Sequence, residues 1–420
     1  MFDLEKRKTD VKTEFIAALT TFFTLSYILV INPRFLSAAG MDYGAVFVAT
    51  ALAAGFATLL MGLVANKPFA LAAGMGLNSY FSYSIVKTMG FTWQAALAAV
   101  FASNALILLL VLARVNFSDA IPKSFKHALI AGLGLFLVFI GMQNAHFIQA
   151  SPNTFVSVGD LTQKGALVAV FGFFVTSALV SRKVKGGMFL GVVASSIFAF
   201  LIGAAPLPEK ILEMPPDISK VALNLDFSAI THPALLPVIW SLFIITFLDI
   251  LGTNAALSMR SGKNVEGLEK AIGVNAAGGM AGTVLGSSSI VTYLESASGI
   301  EAGGKTGLVA VFIALLFFAS VFFLPLIQSI PIEAAAPVII IVGEVMLLQI
   351  RFIDLKDYSE AIPALMTVAA IPFTFSISNG IGVGSIAYIF LKWVMRKQDE
   401  VHPAMYLIAL LSVLEFARVF

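Results

Sequence analysis

Apolar runs long enough to cross a lipid bilayer follow one another along this chain, and they leave few ways to fold it. They fall near residues 15–37, 43–65, 68–88, 93–114, 124–146, 165–181 and 187–205, and again near 235–257, 267–286, 287–303, 305–325, 333–351, 360–376 and 379–396. A helix needs roughly 20 apolar residues to span the hydrocarbon core, so the runs amount to about fourteen crossings. With 59% of 420 residues hydrophobic and only 12% charged, the chain carries more apolar surface than a soluble domain of this length can bury. The sequence therefore predicts an all-α polytopic membrane protein. One further run, 403–419, is expected either to span or to lie in the interface.

The basic residues support this division. Cytoplasmic loops are enriched in Lys and Arg. If the end bearing Lys6, Arg7, Lys8 and Lys12 is cytoplasmic, every second loop should be basic. Those loops carry Lys67; Arg114, Lys123 and Lys126; Arg182, Lys183 and Lys185; Arg260, Lys263 and Lys270; Lys305; and Arg351 with Lys356. Arg396 and Lys397 follow the run at 379–396. The opening residues, MFDLEKRKTDVK, lack the apolar core of a signal peptide, so the first crossing should direct insertion. A net charge of +2 offers nothing to nucleic acid, and the lack of cysteine removes disulfides and thiolate metal sites.

A proline-rich, more polar linker, 207–234, is expected on the outer face. It divides the chain into 1–206 and 235–420, with seven crossings in each. Seven is odd, so the second half enters the membrane from the opposite side. That is the arithmetic of an inverted repeat, with core and gate domains each drawn from both halves and a site near the midplane. Ile121-Pro122 before one run and Ile330-Pro331 before another are weak echoes of the repeat.

The third crossing of each half is interrupted. Gly286 to Gly307 reads GSSSIVTYLESASGIEAGGKTG, where Ile290–Tyr293 is a short strand pattern and Leu294–Ile300 is too short for a full span. Pro68 to Lys87 has an extended lead-in at Phe69–Ala73, a turn at Gly74 and Gly76, and a half-helix starting at Leu77 with Asn78 near its beginning. Irregular backbone persists at membrane depth only where protein buries it or where it lines a cavity. The two lead-ins are expected to pair antiparallel and to point their half-helices at one another.

Glu295 opens the second half-helix, and Asp249 sits within the apolar run LFIITFLDILGTNAAL, where Gly252, Thr253 and Asn254 could loosen the helix. Intramembrane acids mark functional sites. Glu344 lies in an apolar run without an evident partner, and Glu301, beside Lys305, is structural. The four histidines are scattered near segment ends and do not form a ligand set. Tyr27, Tyr80, Phe81 and Phe247 could stack on a flat solute.

At these motifs the chain resembles the AzgA-like purine permeases, a branch of the nucleobase:cation symporter-2 and nucleobase–ascorbate superfamily. The similarity rests on TTFFTLSYILVINPRFLSAAGM from Thr20, ALAAGMGLN from Ala70, FLDILGT from Phe247, GSSSIVTYLESASGIEAGGKTGL from Gly286 and SISNGIGVGSIAY from Ser376. The resemblance implies two inverted seven-helix repeats, a possible homodimer, and proton-coupled uptake of a purine base through an inner membrane, with no cofactor beyond the proton gradient. By motif, Glu295 would bind the N–H edge of the base and Asp249 would be the second essential acid. Asn78 with the Gly74–Met75–Gly76 turn would complete the site, and Thr292, Tyr293 and Phe247 would adjoin it. The family commonly has proline at the Ala73 position and aspartate at the Thr246 position, so the coupling is less firmly implied than the transport. A same-fold carrier of uracil or of an anion is the alternative, then a channel. An anion site would be expected to offer a cation near Asn78 or Glu295, and the interrupted crossings supply none there.

Overall fold

In the computed structural model, residue 2 and residues 4–114, 121–261 and 267–417 are described; Lys263 of the charge alternation lies outside them. The first crossing is a helix pair, α1 (Val11–Leu25) and α2 (Ile28–Ala38), joined by a tightened turn at Ser26–Tyr27. Next come α3 (Tyr43–Leu60), which unwinds through a π-turn at Met61–Ala65, the strand β1 (Leu71–Ala73) and the short α4 (Met75–Ser79), which widens into a π-helix at Tyr80–Thr88. The first half ends with α5 (Trp93–Leu112), α6 (Lys123–Asn144), the hairpin β2 (Ile148–Ser151) and β3 (Phe155–Val158), α7 (Lys164–Ser181) and α8 (Gly187–Leu201). The second half runs α9 (Leu236–Arg260), α10 (Leu268–Val284), β4 (Ile290–Thr292), α11 (Ser296–Glu301) and α12 (Gly307–Ser320). It ends with α13 (Leu324–Gln328), α14 (Ile332–Leu347), α15 (Tyr358–Thr374), α16 (Ile377–Val394) and α17 (Pro403–Phe416).

These elements make fourteen segments in two inverted sevens, and the third of each seven is a strand followed by a short helix. Among the described residues, nine helical stretches are long and apolar enough to cross a bilayer. Two of the segments that fall short are the broken ones; the others are α8, α10 and α15, with 15, 17 and 17 residues. Each strand leaves backbone groups open, and the antiparallel pairing of β1 with β4 closes them: Leu71 faces Thr292, Ala72 faces Val291 and Ala73 faces Ile290. Gly74 N donates to Ser289 O and Tyr293 N to Ala70 O, which extends the ladder at both ends. On the outer side of β1, the Thr58 hydroxyl donates to Leu71 O and accepts from Leu71 N, both at 2.9 Å. Ser296 Oγ accepts from Ala70 N at 2.9 Å.

The helices gather into two bundles, each drawing on both halves of the chain. One packs α1, α2, α3, α5, α9, α10 and α12 around the broken segments, and the other packs α6, α7, α8, α14, α15 and α16. The Ile-Pro echo marks the centre of the second bundle, because Pro122 and Pro331 stand at the N-caps of α6 and α14. Proline suits that position, where its missing N–H costs no helical bond. The two helices meet through glycine. A Cβ on Gly134 would lie 2.5 Å from Gly343 O, and one on Gly343 would lie 2.6 Å from Gly134 O.

The structure departs from the sequence-based expectations at several points. α4 begins at Met75 with Gly74 as its N-cap, not at Leu77, so Gly76 lies inside the helix, where it admits the side chain of Leu133. α9 continues without interruption through Gly252, Thr253 and Asn254, whose polar groups bond along the helix instead of opening it. The β2–β3 hairpin had no period-2 signature strong enough to predict it; Phe155, at φ 61°, closes its turn. Within the run at 403–419, α17 packs on α16. Trp393 Nε1 donates to Tyr406 Oη at 2.9 Å, and Gly382 lies against Ser412 and Phe416, so α17 runs back antiparallel beside α16. Its 14 residues reach about 21 Å.

Candidate functional site at the paired broken segments

Glu295 sits at the N-cap of α11, just beyond the strand ladder, and is half-buried. Tyr27, at the turn between α1 and α2, donates its hydroxyl to Glu295 Oε1 at 2.6 Å. The backbone N–H of Glu295 also lies within reach of its carboxylate. Asp249, also half-buried, faces the same region from α9 and is close enough for the two acids to interact electrostatically. Thr253 Oγ1 lies 3.5 Å from Asp249 Oδ1. One turn along, Gly252 borders open space, since a Cβ there would meet nothing within 4 Å. The two acids thus stand at the junction of both broken segments, beside an opening.

The other predicted residues form a closed collar behind them. Asn78 is wholly buried, with its Nδ2 donating to Asn32 Oδ1 and its Oδ1 accepting from Ser288 Oγ. Asn32 also donates to Thr50 Oγ1 at 2.7 Å. With a hydrogen bond at each end of its amide, Asn78 braces the ribbon behind the two acids. Thr292 is engaged too, accepting from Asn275 Nδ2 at 2.9 Å and approaching Asn254 Oδ1 at 3.3 Å. Tyr293 donates to Ala73 O at 2.5 Å, which ties the end of β4 to β1. Gly74, the N-cap of α4, and Met75 and Gly76, its first residues, are buried. Phe247 is nearly buried and stacks on Phe243, with centroids 6.1 Å apart and planes at 19°.

Two asparagine braces, unseen in the sequence, repeat the internal symmetry. Asn32 and Thr50 tie the first two segments of one half to its broken third, and Asn254 and Asn275 do the same in the other half. Their one sequence signal was polar side chains inside apolar runs.

Sequence reasoning also missed what holds α11. One face of α1 lies antiparallel along it, making contact nearly every turn. Thr24 Oγ1 meets Ser298 Oγ at 3.3 Å, and Thr21 and Ala17 crowd Gly299. Glu14 is wholly buried: Oε1 accepts from Lys305 N at 2.9 Å and from Thr9 Oγ1 at 3.0 Å, and Oε2 accepts from Thr306 N at 3.2 Å and from Thr306 Oγ1 at 2.6 Å. Four donors satisfy a buried carboxylate without a cation. Only its place at the edge of the first apolar run could have drawn notice.

The remaining candidates fall elsewhere. Tyr80 and Phe81 are sealed in the core, and Tyr80 Oη shares a 2.9 Å hydrogen bond with Ser378 Oγ, so neither is placed to stack on a solute. Glu344 is exposed on the outer flank of α14, with no hydrogen-bond or ion-pair partner among the described residues. Glu301 pairs with Arg260 at 3.6 Å, not with Lys305. His127 meets Gln349 and His146 meets Glu333, while His232 and His402 accept from nearby backbone amides.

Fourteen segments, inverted halves and a crossed pair of broken helices define an integral membrane carrier. The transmembrane domain of a cyanobacterial bicarbonate transporter, BicA, shares the fold with TM-score 0.68 at 17% identity, over 90% of this chain and 97% of that one. Murine Solute Carrier 26 family member A9, an anion transporter, shares it at 0.66 and 11% identity, over 92% of this chain and 68% of that one. A Permease family model matches residues 12–383. A permease of Methanocaldococcus jannaschii is 43% identical, covering 99% of this chain and 97% of that protein. The adenine permease AdeP of Escherichia coli K12 is 36% identical (99% and 95%), and the guanine/hypoxanthine permease PbuO of Bacillus subtilis is 35% identical (100% of each). The chain belongs to the Permease family, in the AzgA-like purine permease branch of the nucleobase:cation symporter-2 superfamily, and is not an enzyme.

Proposed function

We propose that this protein carries purine nucleobases inward across a plasma membrane, coupled to protons, with its N-terminus in the cytoplasm. The observation that carries this is the pair of half-buried acids, Glu295 and Asp249, beside an opening where the two broken segments meet. Relatives named as adenine and as guanine/hypoxanthine permeases support the solute class.

A neutral purine presents flat faces and a fixed edge of N–H donors and acceptors. Glu295 accepts from an N–H of the base, and a charge-assisted bond of this kind discriminates strongly against solutes that leave the acid unpaired. Asp249 takes up and releases the coupled proton. The ribbon, with its two asparagine braces, keeps the acids at one depth while one bundle rocks against the other and opens the site to each side in turn.

The test is uptake of radiolabelled adenine, guanine, hypoxanthine and xanthine into proteoliposomes. Accumulation of at least one base should rise when an inward proton gradient is imposed and collapse with an uncoupler. No gradient-stimulated uptake of any of the four would refute the proposal.

A further inference from the structure

Tyr27 is buried, with 1% of its surface exposed, yet its hydroxyl is committed to an acid that is partly open. It stands where α1 gives way to α2 and the backbone tightens, with Leu29 N bonding to Ser26 O and Val30 N to Tyr27 O. That turn brings the ring to the end of the face along which α1 grips α11. The Glu295 end is held as well, because Ser298 Oγ donates to Glu295 O at 2.7 Å and meets Thr24 Oγ1. Glu295 Oε1 is therefore occupied from within the protein by a fixed donor. Glu295 Oε2 has no side-chain donor among the described residues.

A free carboxylate accepts two parallel N–H bonds from a planar partner, one on each oxygen. With Tyr27 on Oε1, this one leaves Oε2 as the oxygen without a side-chain donor among the described residues. We propose that Tyr27 is a specificity-determining residue that makes Glu295 a one-oxygen acceptor, matched to a base edge with one N–H. This rests on Glu295 contacting the solute. Hypoxanthine presents one ring N–H beside an oxo group, and adenine presents an amino N–H beside a ring nitrogen. Guanine presents a ring N–H and an amino N–H side by side, and the second must share Oε1 with Tyr27 or displace it.

The experiment is equilibrium binding of hypoxanthine and guanine to purified wild type, Tyr27→Phe, Tyr27→Leu and Glu295→Gln. Removing the hydroxyl frees Oε1, so the affinity ratio of guanine to hypoxanthine should rise in Tyr27→Phe by roughly fivefold to tenfold, the worth of one net hydrogen bond. Tyr27→Leu should move the ratio the same way. A general folding defect would weaken both bases alike, so an unmoved ratio, or one that favours hypoxanthine, overturns the proposal. The wild type gives a check that needs no variant: the amino group of guanine should add nothing to affinity, and guanine binding tenfold tighter than hypoxanthine would also overturn it. Glu295→Gln separates the two levels. Unchanged binding of both bases in that variant would remove Glu295 from the solute contact, whereas lost binding alongside an unmoved Tyr27→Phe ratio would remove only Tyr27.

Discussion

Asn78 donates its amide N–H to the side-chain oxygen of Asn32, and this bond joins the first broken segment to the helix pair that precedes it. Replacing Asn32 by Ala removes the acceptor of the wholly buried Asn78 donor. Leaving a buried donor unpaired costs roughly 1–3 kcal/mol. The Asn32→Ala protein should therefore melt several degrees below wild type in detergent and bind purine more weakly through loss of the turn. An unchanged melting temperature would show that the ribbon does not depend on this brace.

Glu295→Gln keeps the size of the side chain and the Tyr27 partner but loses the charge, and it puts a donor where an acceptor is needed. A hydrogen bond to a charged group contributes about 1.5–3 kcal/mol. Purine affinity should fall by roughly 10- to 150-fold, measured by equilibrium binding to purified protein.

Asp249→Asn should divide coupling from binding. Base-for-base counterflow should persist, because it needs no net proton movement. Accumulation driven by a pH gradient should be lost. If the variant still concentrates base against its gradient, Asp249 is not the proton carrier.

Gly134→Leu tests the glycine contact between α6 and α14. The new side chain has no room, since its Cβ alone would sit 2.5 Å from Gly343 O. Overpacking of this kind costs about 1–3 kcal/mol, so thermal stability should drop, whereas Gly252→Ala, inside α9 and facing open space, should not lower it.

A pH test falls outside the spans. Lys397, 2.6 Å away, together with Ser359 holds the Asp357 carboxyl down at about 2, against an ordinary 3.8. A group whose folded value is lowered adds stability above its unfolded value and loses it as pH falls through the folded one. Asp357→Asn keeps the cap on α15 but not the charge. Its melting temperature should lie below wild type at neutral pH, with the gap closing between pH 3.8 and about 2. A gap constant over that window would exclude the charge as its cause.

Much of this molecule could be read from the chain because lipid restricts what backbone can do. An apolar run either spans or breaks, so the polar, glycine-marked stretches at Gly74 and Gly286 had to be the breaks, and two breaks had to satisfy each other. The Ile-Pro pairs were legible for a similar reason, since proline at a helix start is a local preference. The bracing of Asn78 by Asn32 and Ser288 was not legible, because hydrogen-bond capacity is visible in sequence while its partner is not. Tyr27 and Glu295 are 268 residues apart, and no local pattern says that a tyrosine suited to stacking will instead hold an acid. Asp249 was recognised by its apolar surroundings, but whether it faced an opening depended on how α9 rotates against β4.

The long span between Glu14 and its partners also bears on how the protein is made. Thr306 lies 292 residues downstream, so α1 enters the membrane long before the donors that satisfy its acid have been synthesised. Until then Glu14 lacks three of the four donors it has in the folded protein. The stretch that carries Glu295 and α11 continues directly into Lys305 and Thr306, so the same late part of the chain brings Glu14 its donors and Tyr27 its acid. A chain interrupted before Lys305 would leave Glu14, in the first turn of its opening helix, with Thr9 alone of its four donor contacts.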